Sequence, residues 1–320
     1  MVPRILPSSS LRSRRARDPA NLHGRTAIVT GGTDGIGRET ARQLSSDGAS
    51  VVIVGRDESK ADSLRRELRE AGQRNSIPFV KADLSLTSEV ERVAGEIASR
   101  WLEIHYLVHS AGVLMGSRKL TSEGVETNFA INYLARFTLT RRLLPQLAAA
   151  GQQGGARILF VSGAARGRVN FDDVNLTSGF STIKAVQQFC RANDLLTQEL
   201  ARALEASRAN VVVACLKMGA VKTGIRRNFP LWMKLLVPLI DPIFAHSPEE
   251  AADSAVKILL DPGLDEASGA LFSDIMSLKR LSPLTGDKVR EEGLRLWELS
   301  ERLEQGKTNR RGGPIEARNK

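Results

Sequence analysis

The sequence predicts an α/β fold in a single domain, with a doubly wound parallel sheet that carries helices on both faces. Apolar runs typical of buried strands alternate with amphipathic runs typical of helices from residue 26 to residue 273. The first of these strands is followed directly by a glycine-rich turn and a helical pattern. The chain of 320 residues is also long enough to bury a large core. Alternating strands and helices form right-handed crossovers, and these crossovers make the sheet parallel.

The turn after the first strand has the composition of a phosphate-binding loop. Glycine lets the backbone bend sharply and approach a pyrophosphate, and the free N–H groups at the start of the next helix face that anion. The sequence therefore predicts a dinucleotide site here, and a tight turn that binds nothing is the alternative. The candidate cofactor-binding residues of the turn are Thr30, Gly31, Gly32, Asp34, Gly35, Ile36 and Gly37.

Residues at the ends of the next two strands bear on the choice of nucleotide. Arg56 follows the predicted strand Ser50–Gly55, where an NAD-binding domain usually has an acid for the ribose hydroxyls. A guanidinium there would pair with a 2′-phosphate, so we favour NADP(H) over NAD(H). A solvated loop arginine is the alternative. Asp83 follows a predicted strand at 77–81 and is expected either to accept from the adenine amino group or to cap the next helix.

The remaining periodic segments complete the predicted sheet and its covering helices. Further strands are expected at 104–108, 157–161, 210–215 and 269–273. Helices are expected at 60–71, 90–100, 120–147, 182–205 and 287–303. One more helix begins at Ser247, with proline in its first turn, and ends at Asp261.

An apolar stretch at 229–244 lies within a lid-like insertion at about 225–246. It is too short and too interrupted by polar residues and proline to cross a bilayer. As a lid or a helix on a membrane surface it would cover a small lipophilic ligand. An ordinary core or dimer contact is the alternative.

Charge and cysteine usage exclude several classes of function. The formal net charge is +10, but residues 1–20 and residues 306–320 each hold +4, so nucleic-acid binding is not expected. Cys190, Cys215 and four scattered histidines show no metal-ligand spacing and fit a reducing, cytoplasmic setting.

The segment 1–21 is a basic disordered leader or an organelle transit peptide. Residues 22–275 form the domain, 276–305 a C-terminal helix and 306–320 a basic disordered tail.

Over residues 22–275 the chain resembles the short-chain dehydrogenase/reductase family, and within it the retinol-dehydrogenase-like branch. The resemblance is carried by the turn at 30–37, Asp83 and Leu84, Ser110 to Gly112, Asn132, and the run at 192–201. It implies a Rossmann-type sheet with the nicotinamide near the ends of the strands that contain Val108, Val161 and Cys215. It also implies a homodimer through the fourth and fifth long helices. Further cofactor contacts implied by the resemblance are Leu84, Ala111, Gly112, Asn132, Gly219 and Thr223.

The family's chemistry uses a tyrosine, a lysine four residues later and a serine, with an asparagine in support. The ungapped register of 197–200 places Val186 at the tyrosine, Cys190 at the lysine and Gly163 at the serine, while Asn132 is retained. The chain has only two tyrosines, both before residue 151, so no Tyr-x-x-x-Lys exists. The catalytic residues are therefore unassigned. Conceivable proton donors elsewhere are His109, Lys184, Cys190 and Lys217.

Three functions follow from the motifs and the resemblance. The first is an NADP(H)-binding protein, an oxidoreductase by ancestry on a lipophilic carbonyl or alcohol, whose chemistry is non-standard. The second is a non-redox cyclase or isomerase that reuses the pocket, because positioning alone can accelerate a unimolecular closure. The third is a non-catalytic NADP(H)-binding regulatory protein.

Overall fold

A computed structural model describes residues 20–73, 76–219, 221, 224, 246–273, 275, 277–282 and 284–306. The predicted apolar stretch at 229–244, the candidate residue Thr223 and most of the predicted leader and tail lie outside the described residues.

Within this part of the chain, one sheet of eight strands has the order β3-β2-β1-β4-β5-β6-β7-β8. The strands pair in parallel, except that β8 runs antiparallel to β7. The predicted fold class is therefore confirmed. The strands are β1 (Thr26–Thr30), β2 (Ser50–Gly55), β3 (Phe79–Lys81), β4 (Tyr106–His109), β5 (Ala156–Gly163), β6 (Val211–Met218), β7 (Ala270–Ser273) and β8 (Lys279–Arg280).

Helices cover both faces of the sheet and bury a separate apolar layer on each. One layer lies under α1, α2 and α6, and the other lies under α3, α4, α5 and α7. The strands serve both layers, since Ile28 belongs to one and Val29 to the other. The helices are α1 (Gly35–Ser46), α2 (Glu58–Glu70), α3 (Thr87–Arg100), α4 (Thr127–Phe129, continued by a π-helical turn Ala130–Leu134 and by Ala135–Gln152), α5 (Thr182–Ser207), α6 (Pro248–Leu260) and α7 (Asp287–Glu304).

Helix α4 begins later than the sequence predicts. Leu120 and Glu126 form an antiparallel bridge, so the residues before Thr127 are not helical. The Glu126 carboxylate accepts a hydrogen bond from the Phe129 backbone N–H at 3.0 Å and caps the helix. The prediction of a helix from residue 120 is therefore wrong. The predicted start of α6 is confirmed, because Ser247 and Glu250 form a reciprocal capping box.

The C-terminal helix α7 packs across α4 and α5. This packing covers part of the surface on which the resemblance places a dimer contact, and the homodimer stays a prediction. The contacts are a 2.7 Å hydrogen bond between Tyr133 and Ser300, an edge-on ring contact of 5.0 Å between Phe137 and Trp297, and a 2.5 Å ion pair between Arg191 and Glu292.

We expect Tyr133→Phe to lower the free energy of unfolding by about 1 kcal/mol. The Ser300 hydroxyl donates to the Leu296 carbonyl, so the Tyr133 hydroxyl is the donor to Ser300 and its loss leaves a buried acceptor unpaired. Equilibrium urea denaturation measures the change. Tyr106→Phe is the matched control, because the Tyr106 hydroxyl has no hydrogen-bond partner in the described structure. Equal losses in the two variants would contradict the contact.

Candidate functional site

A cleft of about 550 Å³ runs along the carboxyl ends of β1, β2, β4, β5 and β6. It spans the point where the strand order reverses between β1 and β4, the usual ligand position in a doubly wound sheet. Four residues singled out in the sequence are buried and do not line the cleft: Thr30, Gly32, Gly37 and Cys190. The predicted residues that line the cleft are Gly31, Asp34, Gly35, Ile36, Arg56, Asp83, Leu84, Ala111, Gly112, Asn132, Gly163, Val186 and Gly219.

The turn between β1 and α1 brings backbone against backbone, which only glycine permits. Gly31 has φ +68°, and a Cβ there would lie 2.7 Å from the Ala111 nitrogen. A Cβ on Gly37 would lie 2.4 Å from the Gly31 carbonyl oxygen. The first turn of α1 contains no acidic residue, so nothing on that turn competes with an anion at its N–H groups. The turn therefore has the geometry of a phosphate cradle.

Two cations stand at the β2 end of the cleft. Arg56 is exposed, lines the cleft and makes no ion pair with the described residues. The neighbouring Asp57 is engaged in capping α2, accepting from the Ser59 hydroxyl at 2.6 Å and the Lys60 N–H at 3.3 Å. The Lys60 ammonium pairs with Asp34 of the glycine-rich turn. Arg56 is thus the cation at this end that is available to a ligand.

Asp83 does not cap helix α3. Its carboxylate accepts from the Ser85 N–H at 3.0 Å and closes a local turn. The start of α3 is capped instead by Glu123, which accepts from the N–H groups of Thr87 at 2.5 Å and Ser88 at 3.1 Å. The helix-cap alternative for Asp83 is therefore wrong, and its contact with adenine stays a prediction.

Asn132 holds the loop that follows β4. Its amide donates to the carbonyls of Val113 and Asn128, each at 2.8 Å, and its side-chain oxygen accepts from the Val113 N–H at 3.1 Å. The Asn132 carbonyl oxygen accepts from the Asn193 amide of α5 at 2.9 Å. These bonds fix the cleft wall between β4 and the π-helical turn of α4.

The positions compared with the family's serine, tyrosine and lysine lie together at the inner end of the cleft. Gly163 ends β5, Val186 is half-buried on α5, and Cys190 is fully buried one turn further along. A Cβ on Gly163 would lie 2.9 Å from the Cys190 sulfur. Burial raises the pKa of the Cys190 thiol, so it is neutral at neutral pH. These positions therefore present no charged side chain to the cleft.

The other three conceivable proton donors are engaged with protein groups elsewhere. The buried His109 ring bonds to the Thr140 hydroxyl at 2.9 Å, and burial holds the pKa of His109 well below its usual range. Lys217 is buried in an ion pair with Asp194, with 2.6 Å between its ammonium and one carboxylate oxygen. Lys184 is exposed and donates to the Gly179 carbonyl at 2.8 Å. None of the three donors lines the cleft.

The sequence reasoning missed Arg136, a cation beneath the inner end of the cleft. Arg136 is 4% exposed and lines the cleft. Its guanidinium donates to the Ala111 carbonyl at 3.0 Å and the Asn193 side-chain oxygen at 3.3 Å, while its Nε has no partner. Burial lowers the pKa of Arg136 to about 10, so it stays charged at neutral pH. A lone arginine in the otherwise uncharged run 127–140 was the available signal.

Among the described residues, no cluster of His, Cys, Asp and Glu has the geometry of a metal site. None of the helices in the described ranges combines the length and apolar character of a membrane span.

We expect Gly163→Ala to destabilise the chain by about 1–3 kcal/mol, because the added methyl group meets the Cys190 sulfur. Cys190→Ala removes that sulfur, so the double variant should lose less than the sum of the two single losses. A coupling of at least about 0.5 kcal/mol in thermal or urea unfolding is expected. Additive losses would show that the two side chains do not meet.

Comparisons with known proteins agree with the fold and the cleft. A family model described as short chain dehydrogenase matches residues 25–234. Human retinol dehydrogenase 14 is 32% identical over 307 residues, covering 91% of this chain and 89% of that protein. Human polyprenol dehydrogenase is 30% identical over 279 residues, covering 86% of this chain and 84% of that protein.

Solved structures share the architecture. RhlG of Pseudomonas aeruginosa, in an NADP active-site complex, has a TM-score of 0.64 at 23% identity, covering 82% of this chain and 99% of that chain. An Escherichia coli oxidoreductase has a TM-score of 0.62 at 22% identity, covering 81% of this chain and 98% of that chain. The family match, the relatives and the fold agree: the chain belongs to the short-chain dehydrogenase/reductase family of oxidoreductases.

Proposed function

We propose that this chain binds NADP(H) in the cleft and takes a lipophilic carbonyl or alcohol compound, with chemistry that does not use the family's serine, tyrosine and lysine. The observation that carries the proposal is one continuous cleft. It joins the glycine cradle, Arg56, which has no ion pair among the described residues, and the inner end at Gly163 and Val186.

The residues of the cleft fit a dinucleotide phosphate. The backbone of Gly31 and Gly37 leaves no space for a side chain but can approach a pyrophosphate closely. Arg56 would hold the 2′-phosphate, because a guanidinium matches phosphate in charge and geometry. RhlG, which shares this fold, is described in an NADP complex. A nicotinamide bound here would supply hydride exchange with a carbonyl carbon.

The inner end of the cleft favours a lipophilic partner. Its lining includes the apolar side chains of Leu114, Val161, Val186, Phe189 and Met218. The named relatives are dehydrogenases of retinol and polyprenol, both apolar alcohols. Desolvation of apolar surface would therefore supply most of the binding free energy, and Asn132 would keep the wall of the cleft in shape.

The resemblance implies that this chain departs from its family at the proton source. Carbonyl reduction needs a proton at the substrate oxygen, and a positioned acid contributes roughly 10²–10⁴-fold to such a step. Tyr133 is buried against Ser300 and Tyr106 lies at the opposite end of β4, so neither tyrosine lines the cleft. Ser162, the residue that precedes Gly163 in β5, carries a hydroxyl and also lines the cleft.

A non-redox function is the second candidate, favoured by the same inner end. Gly163, Val186 and Cys190 are packed and uncharged, whereas the cradle and Arg56 are intact. A pocket that keeps nucleotide binding and loses acid–base residues suits a cyclase, an isomerase or a regulatory protein that responds to NADP(H). NADPH that binds but is never consumed with lipophilic ketones and aldehydes would favour this candidate.

We expect Arg56→Gln to weaken NADPH binding by roughly 10- to 100-fold, because charge-assisted hydrogen bonds contribute about 1.5–3 kcal/mol. NADH binding should stay unchanged, since NADH lacks the 2′-phosphate. Nicotinamide fluorescence titration measures both affinities. Arg69→Gln, which removes an exposed arginine from the same region, is the matched control. Equal weakening of NADPH and NADH would overturn the role of Arg56, and no NADPH binding by the unmodified chain would overturn the proposed function.

Restoring the family's serine, tyrosine and lysine tests whether Gly163, Val186 and Cys190 occupy those positions. The triple variant Gly163→Ser, Val186→Tyr, Cys190→Lys should reduce lipophilic ketones with NADPH at least about 100-fold faster than the parent. The matched control carries Val186→Phe in place of Val186→Tyr and should stay inactive, because phenylalanine has no ionisable group. NADPH oxidation followed by absorbance measures both. A folded triple variant that binds NADPH and shows no gain would contradict the assignment of these positions.

A further inference from the structure

The inner end of the cleft holds a buried positive charge that none of the carboxylates in the described ranges neutralises. Arg136 belongs to α4, and its side chain is buried against α5 and the loop after β4. None of the described carboxylates forms an ion pair with it. Its two hydrogen-bond acceptors, the Ala111 carbonyl and the Asn193 side chain, are uncharged. A buried charge without an opposite charge is costly, so most buried charges in proteins are paired.

The second buried cation of the same layer shows the contrast. Lys217 of β6 points to the same face of the sheet and is paired with Asp194 of α5. The Asp194 carboxylate is used by Lys217, and the other buried carboxylates of this layer, Glu126 and Glu199, are engaged elsewhere. Arg136 is therefore left without an ion-pair partner among the described residues.

Two polar atoms at this end lack a nitrogen or oxygen hydrogen-bond partner among the described residues. They are the Arg136 Nε and the Ser162 hydroxyl oxygen, both of which are buried, and both residues line the cleft. The Ser162 hydroxyl lies beside the Cys190 thiol, a weak hydrogen-bonding group. Both groups can donate a hydrogen bond, the guanidinium as a charged donor and the hydroxyl as a neutral one. Buried polar groups in native structures nearly always have a partner, so an unmatched charged donor next to a weakly bonded hydroxyl at one cavity indicates a missing acceptor.

The acidic residues that line the cleft all lie at its other end, near the glycine-rich turn and Arg56, and each is engaged there. Asp34 pairs with Lys60, Asp57 caps α2, and Asp83 closes its own turn. The phosphates expected of the cofactor also belong to that end, at the glycine cradle and Arg56. The anion that pairs with Arg136 therefore has to belong to a second ligand, which shares the cleft with the cofactor.

We propose that the inner end of the cleft is an anion subsite, in which the Arg136 guanidinium and the Ser162 hydroxyl bind a carboxylate group of the lipophilic ligand. The apolar body of the ligand would lie along Val186 and Phe189, which line the same end. This subsite rests on the proposed function, because it names the class of ligand that shares the cleft with NADP(H). The ligand is thus an amphiphilic acid.

Binding of octanoate and of 1-octanol to the full chain tests the subsite. The two probes have the same carbon chain and differ in charge, and isothermal titration at neutral pH on NADPH-saturated protein measures both affinities. We expect octanoate to bind at least roughly tenfold tighter than 1-octanol, the difference that one charge-assisted hydrogen bond supplies.

Variants assign the preference to the residues. Arg136→Met should abolish the preference for octanoate, and Ser162→Ala should reduce it. Arg136→Lys retains the charge and should keep part of the preference, which covers the case in which Arg136→Met fails to fold. Arg142→Met removes an exposed arginine from the same helix and should leave both affinities unchanged.

The outcomes separate the subsite from the proposed function. Equal affinities for octanoate and 1-octanol on NADPH-saturated protein, or a preference that survives Arg136→Met, would overturn the subsite alone. A chain that binds octanoate in preference to 1-octanol but does not bind NADPH would support the subsite and overturn the proposed function.

Discussion

The structure depends on the close approach of two backbone segments at the point where the strand order reverses. Gly31, after β1, lies against Ala111, after β4, so closely that a single methyl group would intrude at 2.7 Å. The Thr30 hydroxyl reinforces the contact, donating to the Val108 carbonyl at 3.4 Å and accepting from the Ala111 N–H at 3.3 Å. Because the chain leaves β1 and β4 toward helices on opposite faces of the sheet, α1 on one and α4 on the other, the two loops diverge above this contact and open the cleft.

The two ends of the cleft have been shaped by different constraints. At the end formed by the glycine-rich turn and Arg56, glycine stands where backbone meets backbone, at Gly31 and Gly37, and none of the described carboxylates pairs with Arg56. At the inner end, the side chains of Gly163 and Cys190 are matched to each other in volume, since the sulfur occupies space that a Cβ would need. A pair of small, complementary residues is stable packing, and neither side chain presents a charged acid or base to the cleft.

Charge in the layer beneath the inner end is distributed unevenly. Lys217 and Asp194 satisfy each other, and His109 is neutral with a hydroxyl partner. Within the part of the chain that the structure describes, Arg136 alone combines burial, charge and an unmatched donor. A side chain of this kind is expensive to keep inside a protein, and its place at the wall of a cavity connects the cost to ligand binding.

The sequence by itself determined the α/β class, the glycine cradle, the position of Arg56 and the absence of a Tyr-x-x-x-Lys, because these depend on local periodicity, local turn chemistry or plain composition. Only the tertiary structure decided which groups meet across the chain. Glu123 caps a helix that begins 36 residues earlier, which removes the cap role from Asp83. Cys190 fills the space beside Gly163, and Arg136 is buried by α5 and the loop after β4. Each of these outcomes depends on contacts between residues distant in sequence, and no local pattern encodes such contacts.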